Sequence, residues 1–207
     1  MNKLIIVDYK VGNIGSIVNM FKRIGVNAIL SSDENEILSA DKLLLPGVGS
    51  FDNGMKNLKA SGLIKVLNKK VIEEKTPILG ICLGMQLLMD SSDEGKEEGL
   101  GWISGEVKKF NFAMNEEKLK VPHMGWNIAR PMKKDSLFKG FSEEARFYFV
   151  HSYHAVCDNK DNVLANTHYG YDFASSISKD NIYGAQFHPE KSHKFGMKLL
   201  QNFMELK

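Results

Sequence analysis

The sequence predicts an α/β fold, a mixed and mainly parallel sheet with helices on both faces. Three observations carry this. Short, nearly continuous apolar runs at 4–7, 28–30, 42–45 and 77–82 read as strands buried on both sides. Stretches of helical periodicity separate several of them, the alternation expected of parallel strands joined by crossover helices. After residue 101 short strands alternate with turns, which argues for an antiparallel extension. The chain has 207 residues, enough for one such domain with a full core, and a single domain over residues 1–207 is expected.

Each element has a local reason. Leu4-Ile5-Ile6-Val7 is a strand stopped by Asp8, and Gly12-Asn13 turns the chain. Ile14, Ile17, Val18, Phe21 and Ile24 then form one helical stripe closed by Gly25. Ala28-Ile29-Leu30 is a second strand. A third, from Lys42 to Leu45, runs into Pro46-Gly47-Val48-Gly49. Helices are expected over 51–58 and 63–74, and Pro77 opens the strand leading to Cys82. Residues 93–101 read as a glycine-rich acidic loop, followed by strands at 106–110, 147–150, 163–166, 173–178 and 182–187. The tract 115–118 carries the least structural signal. A final helix over 195–204 presents Met197, Leu200 and Met204.

Composition narrows the function. A formal net charge of +2 is too small to imply nucleic acid, and Lys108-Lys109 and Lys133-Lys134 read as solvated loop faces. Two cysteines, Cys82 and Cys157, give no disulfide framework. The N-terminal apolar run is too short for a signal peptide and no later run could span a membrane, so a cytosolic protein is expected. No Cys/His cluster has zinc spacing, so no metal is expected, and no cofactor is called for.

The chemistry gathers around Gly80-Ile81-Cys82-Leu83-Gly84. An apolar strand, a cysteine flanked by glycines and an apolar helix have the form of a nucleophile elbow. The turn aims the sulfur at helix amide groups, which favour a thiolate and a neighbouring oxyanion. A buried cysteine standing alone is more often packing. Here Phe187-His188-Pro189-Glu190 supplies, at the end of another strand, a base and a carboxylate to orient it. Cys82, His188 and Glu190 are therefore the candidate catalytic set. Leu83 N–H is the natural first oxyanion donor. Gln86, one helical turn after Cys82, can reach substrate bound at the sulfur. Glycines on both sides of Val48 ease a peptide flip there. Cys157 reads as a core strand residue. His123, His151, His154, His168 and His193 read as structural or surface residues.

These motifs resemble class I, triad-type glutamine amidotransferases. More narrowly, the chain is similar to the glutaminase subunits of imidazole glycerol phosphate synthase. The resemblance covers nearly the whole chain. It rests on Asp8-Tyr9-Lys10-Val11-Gly12-Asn13, Leu45-Pro46-Gly47-Val48-Gly49, the segment 80–86, Pro122-His123-Met124-Gly125-Trp126-Asn127, Val150-His151-Ser152-Tyr153 and the segment 186–192. It implies a flavodoxin-like class I amidotransferase fold and glutamine hydrolysis by Cys82, His188 and Glu190. Ammonia would pass to a separate (β/α)8-barrel cyclase/synthase subunit of histidine biosynthesis, in a heterodimer. It further implies a second oxyanion donor from Gly47-Val48-Gly49 after a peptide flip. Gly47, Gln86, Ser152 and Tyr153 would hold glutamine. Asn13, Met124, Trp126 and Lys191 would face the partner.

Lys10, the segment 169–174 and the tail 193–198 resemble instead paralogues that supply ammonia for modified surface sugars. The same chemistry with a different barrel partner is thus the first rival. The second is a catalytically silent protein that only binds, and the third a cysteine hydrolase of the intracellular peptidase type. The intact Cys-His-Glu set argues against the second rival. Glu190, the oxyanion strand and Gln86 argue against the third.

Overall fold

A computed structural model describes residues 2–12, 14–112, 119–133, 137–141 and 144–206. Asn13, Lys134 and the tract 115–118 lie outside the described residues. The first half runs β1 (Leu4–Val7), α1 (Ile14–Arg23), β2 (Ala28–Ser31), α2 (Glu34–Leu38), β3 (Lys42–Gly47), α3 (Phe51–Ala60), α4 (Ile64–Asn68), β4 (Ile78–Cys82) and α5 (Leu83–Gln86). The second half runs β5 (Ser91–Ser92), β6 (Gly105–Lys109), β7 (His123–Ile128), β8 (Arg130–Pro131), β9 (Arg146–His151), β10 (Tyr153–Cys157), β11 (Val163–Tyr169), β12 (Tyr171–Lys179), β13 (Ile182–Ala185) and α6 (His193–Glu205).

The order β2-β1-β3-β4-β13 forms the parallel half of the main sheet, and β12, β10 and β6 extend it in antiparallel fashion. Strand alternation decides the layers. Leu4, Ile6, Leu44 and Leu79 pack with Ile17 and Phe21 of α1 and Leu199, Leu200 and Phe203 of α6. Ile5, Val7, Leu43 and Leu45 face the other way, with Ile37 of α2, Met55 and Leu58 of α3, and Leu67 of α4. Fully burying each such side chain is worth about 1.5–3 kcal/mol. The sheet is mixed and mainly parallel with helices on both faces, as expected.

Several boundaries differ from the sequence expectation. β3 continues through Gly47, which pairs in register with Cys82. The helix expected over 63–74 is α4 followed by a π turn, Lys69–Glu73. α2 is not signalled by the sequence. It has five residues and buries only Ile37, so it shows no stripe, and it rests on Asp33 accepting from Glu36 N–H at 2.9 Å. β13 stops at Ala185, although Gln186 N–H still donates to the Ser175 carbonyl in the β12 register at 2.9 Å. β7 and β10 carry no clear strand signal in the sequence. β7 pairs with β9 as a separate two-stranded ribbon. Lys108 and Lys109 lie on β6 rather than in a loop, with Lys108 paired to Glu106 at 2.6 Å. Cys157 ends β10, half-buried rather than deep in the core. Among the described residues, no helix is long and apolar enough to cross a membrane.

Candidate active site

β3, β4 and β13 are parallel, so their carboxyl ends share one edge of the sheet, where ligands bind in open α/β folds. Cys82 ends β4 there with φ 53° and ψ −109°, a left-handed conformation that costs a non-glycine residue about 1–3 kcal/mol. Close packing of glycines holds it. A Cβ on Gly84 would stand 1.8 Å from the Leu45 carbonyl oxygen, and one on Gly80 would stand 2.6 Å from that of Gly84. The helix that follows, α5, has only four residues. Its first amide groups, rather than a long dipole, are what the elbow offers the sulfur.

His188 lies three residues beyond β13, not at the strand's end. Its N–H donates to the Tyr148 carbonyl of β9 at 2.9 Å, and its own carbonyl accepts from Ser192 Oγ–H at 2.6 Å. The ring is buried, and Nδ1 meets Glu190 Oε1 at 2.7 Å, with the Glu190 side chain also buried. Burial alone would lower the ring's pKa. Hydrogen bonding and charge from Cys82 and Glu190 outweigh it and push the pKa up to about 9. Nε2 makes no well-formed hydrogen bond here, although Cys82 acts on the ring. Such contacts are often loose before substrate binds.

A cavity of about 260 Å³ opens over Cys82. Of the residues expected at the site, Gly49, Cys82, Leu83, Gln86, Ser152 and Tyr153 line it. Gly47, Val48, His188 and Glu190 do not. Gly47 is buried beside Cys82, where an added Cβ would meet Tyr9 Oη at 2.7 Å. The Tyr9 hydroxyl donates to the Pro46 carbonyl beneath the same strand. The Val48 side chain is exposed. The Gln86 amide is partly committed, since Nε2–H donates to Gln186 Oε1 (3.0 Å) and to the Tyr153 carbonyl (3.2 Å).

Sequence reasoning missed four lining residues, Glu94, Pro122, Val150 and His151. Among the described residues, Glu94 is the acidic side chain that lines the cavity. Its Oε2 accepts from Phe51 N–H at 2.7 Å, which fixes the carboxylate at the start of α3. Nothing in the acidic loop singled it out from its neighbours. A larger cavity, about 590 Å³, lies near Met132, Val156 and Cys157 and holds none of the expected site residues. Among the described residues, no cluster of His, Cys, Asp and Glu could hold a metal ion.

Of the residues expected to face a partner, Met124, Trp126 and Lys191 are described and all three are exposed. Met124 and Trp126 project from β7 two residues apart, 61% and 48% exposed, and so share one face. Trp126 stacks on His193 at 5.4 Å between ring centres. Lys191 is exposed, with its ammonium 5.6 Å from the Tyr148 ring centre. Asn13 falls outside the described residues.

Comparison with known proteins agrees with this geometry. The family model for glutamine amidotransferase class-I matches residues 5–206. Imidazole glycerol phosphate synthase subunit HisH 2 of Methanococcus maripaludis is 56% identical over 97% of this chain and 98% of its own. The subunit of the same name from Pseudomonas aeruginosa is 47% identical over 98% and 99%. Among solved structures, PurLQS from Thermotoga maritima has a TM-score of 0.74 at 17% identity, covering 99% of both chains. A putative GMP synthase subunit from Thermoplasma acidophilum has a TM-score of 0.73 at 21% identity, covering 99% of this chain and 93% of its own. These last two are likenesses of fold. With the relatives and the family model together, this chain belongs to the class I glutamine amidotransferases, among the HisH subunits of imidazole glycerol phosphate synthase.

Proposed function

We propose that residues 1–207 act as one glutaminase domain, hydrolysing glutamine to glutamate and ammonia. The ammonia goes to a separate (β/α)8-barrel cyclase/synthase subunit in a cytoplasmic heterodimer, where it is used to form imidazole glycerol phosphate and AICAR in histidine biosynthesis. The observation that carries the chemistry is the buried 2.7 Å His188–Glu190 pair, acting on a cysteine held in a strained elbow under a cavity. The names of the full-length relatives support the pathway. They favour it over a sugar-modifying partner.

The reaction follows from these groups. His188 Nε2 takes the Cys82 proton and the sulfur attacks the side-chain amide carbon of glutamine. Charge builds on the amide oxygen, which Leu83 N–H and a flipped peptide of the Gly47-Val48-Gly49 strand stabilise. With its pKa raised, His188 keeps the proton until the C–N bond breaks, then gives it to departing ammonia. Water, deprotonated by the same ring, cleaves the thioester to glutamate and restores the thiol. Glu190 holds the ring and its charge throughout. Glu94 suits the α-ammonium group of the substrate, and Gln86, Ser152 and Tyr153 close around the rest.

The test uses the chain together with its barrel subunit. Cys82→Ala is expected to abolish glutamine-dependent product formation and to leave ammonium-dependent formation intact. A chloro-ketone analogue of glutamine should label Cys82 in the wild type. Labelling at Cys157, or failure of ammonium to support Cys82→Ala, would overturn the assignment.

A further inference from the structure

A continuous chain of hydrogen bonds runs from β7 to the wall of the glutamine cavity. Asn127 Nδ2 reaches His123 Nε2 at 3.2 Å and the His168 carbonyl at 2.9 Å. His123 Nδ1 lies 3.0 Å from His151 Nε2, and His151 Nδ1 lies 2.7 Å from the Tyr153 carbonyl oxygen. That oxygen also accepts from Gln86 Nε2–H. Gln86 in turn bonds Gln186, whose Nε2 stands 3.8 Å from Cys82 Sγ.

The protons of this chain can be placed by elimination. A carbonyl oxygen only accepts, so His151 Nδ1 carries a hydrogen. A neutral His151 then presents a lone pair at Nε2, and His123 Nδ1 must donate to it. His123 Nε2 is left as an acceptor and faces the Asn127 amide. Asn127 Oδ1 accepts from Ile128 N–H at 2.8 Å, so its Nδ2 is the end turned to His123. Along the links Asn127–His123–His151–Tyr153 each donor points inward, toward the Tyr153 carbonyl. Protonating either ring would set two donors against each other. Burial lowers His123 to about 4 and His151 to about 3, which keeps both neutral. The rings cannot easily turn. His123 is stacked between Tyr169 (4.1 Å) and Phe149 (4.8 Å), and His151 lies 5.2 Å from both Phe110 and Phe173.

We propose that His123 and His151 are positioning residues for glutamine hydrolysis. As a one-way hydrogen-bond relay they lock the Tyr153 carbonyl, and through it the Gln86 and Gln186 amides beside Cys82, into the shape that receives glutamine. This rests on the glutaminase reading above. A core that merely satisfies its polar groups would not need to end at the cavity wall, on the carbonyl that also holds Gln86.

The experiment measures glutamine turnover by the chain in complex with its barrel subunit. His123→Phe keeps an aromatic ring between Tyr169 and Phe149 but removes the donor to His151. It should raise KM for glutamine about tenfold, the size of one lost buried hydrogen bond, with kcat within about twofold. His123→Asn, whose amide can occupy the Nδ1 position, should stay within about threefold of wild-type KM. Should His123→Phe fail to fold, Asn127→Leu at the outer end of the relay should raise KM in the same sense. Ring nitrogen NMR of the wild type should find hydrogen on Nδ1 of both histidines. Hydrogen on His151 Nε2, an unchanged KM in the variants that fold, or equal impairment by Phe and Asn at residue 123 would overturn the proposal. A wild-type complex inactive on glutamine would instead reject the glutaminase reading.

Discussion

At residue 84 the fold admits no side chain. The missing Cβ is the space into which the Leu45 carbonyl fits, bringing β3 against the turn at Cys82. Gly84→Ala must push backbone against backbone, which no rotamer can relieve. We expect it to cost about 3 kcal/mol or more of stability and to weaken glutamine turnover beyond the loss of folded protein. Gly15 in α1 is the contrast, with nothing within 4 Å of its Cβ position. Gly15→Ala should be neutral or stabilising by up to about 1 kcal/mol. Denaturant midpoints of the two variants measure both. If Gly84→Ala proves as mild as Gly15→Ala, the close packing does not hold the elbow.

At the scale of elements, the β7–β9 ribbon joins the face proposed for the partner to His188, the proposed base. Trp126 on β7 is in register with Tyr148 on β9, and the Tyr148 carbonyl holds the backbone of His188. A barrel seated on Met124 and Trp126 would therefore rest two residues' depth from the triad. Met124→Ala combined with Trp126→Ala should weaken binding of the barrel at least about tenfold, since buried tryptophans dominate such interfaces. Titration of the chain with the barrel measures this, and an unchanged affinity would move the interface elsewhere. The ribbon also marks the limit of what the sequence made legible. The strands β1, β3 and β4, the elbow and the His188-Glu190 pair were readable, because burial on both faces and chain-local spacing write themselves into residue types. β7 was readable only as a motif. Its Gly125 and Asn127 weaken the strand pattern, and its buried member is a histidine. Glu94 and the His123–His151 contact were not readable at all. Both depend on residues that meet only when the second half of the chain folds back over Cys82.

For the whole molecule, the buried histidines set how stability responds to pH. Burial lowers His123 to about 4, His151 to about 3, and His154 below its ordinary value. In the unfolded chain each titrates near 6.5. Between pH 6.5 and 5 the unfolded state therefore binds protons that the folded state refuses, and stability falls as pH falls. Each such proton is worth about 1.4 kcal/mol per pH unit once the unfolded groups are fully titrated, so His123 and His151 give a steep acid limb, to which His154 adds in the same sense. His188 acts with the opposite sign. Cys82 and Glu190 raise its pKa to about 9 against the pull of burial, so its contribution is complete below 6.5 and is lost as pH rises toward 9. That limb involves at most one proton and must be the shallower. Stability should thus peak near pH 6.5 to 7 and fall off more than twice as steeply toward pH 5 as toward pH 8.5. Urea unfolding of the wild type across this range measures both slopes. His151→Gln removes one buried titrating ring and should flatten the acid limb relative to its own maximum while leaving the alkaline limb alone. An acid limb no steeper than the alkaline one would mean that these rings are hydrated in the folded protein, and that the relay from Asn127 to Tyr153 is open to water.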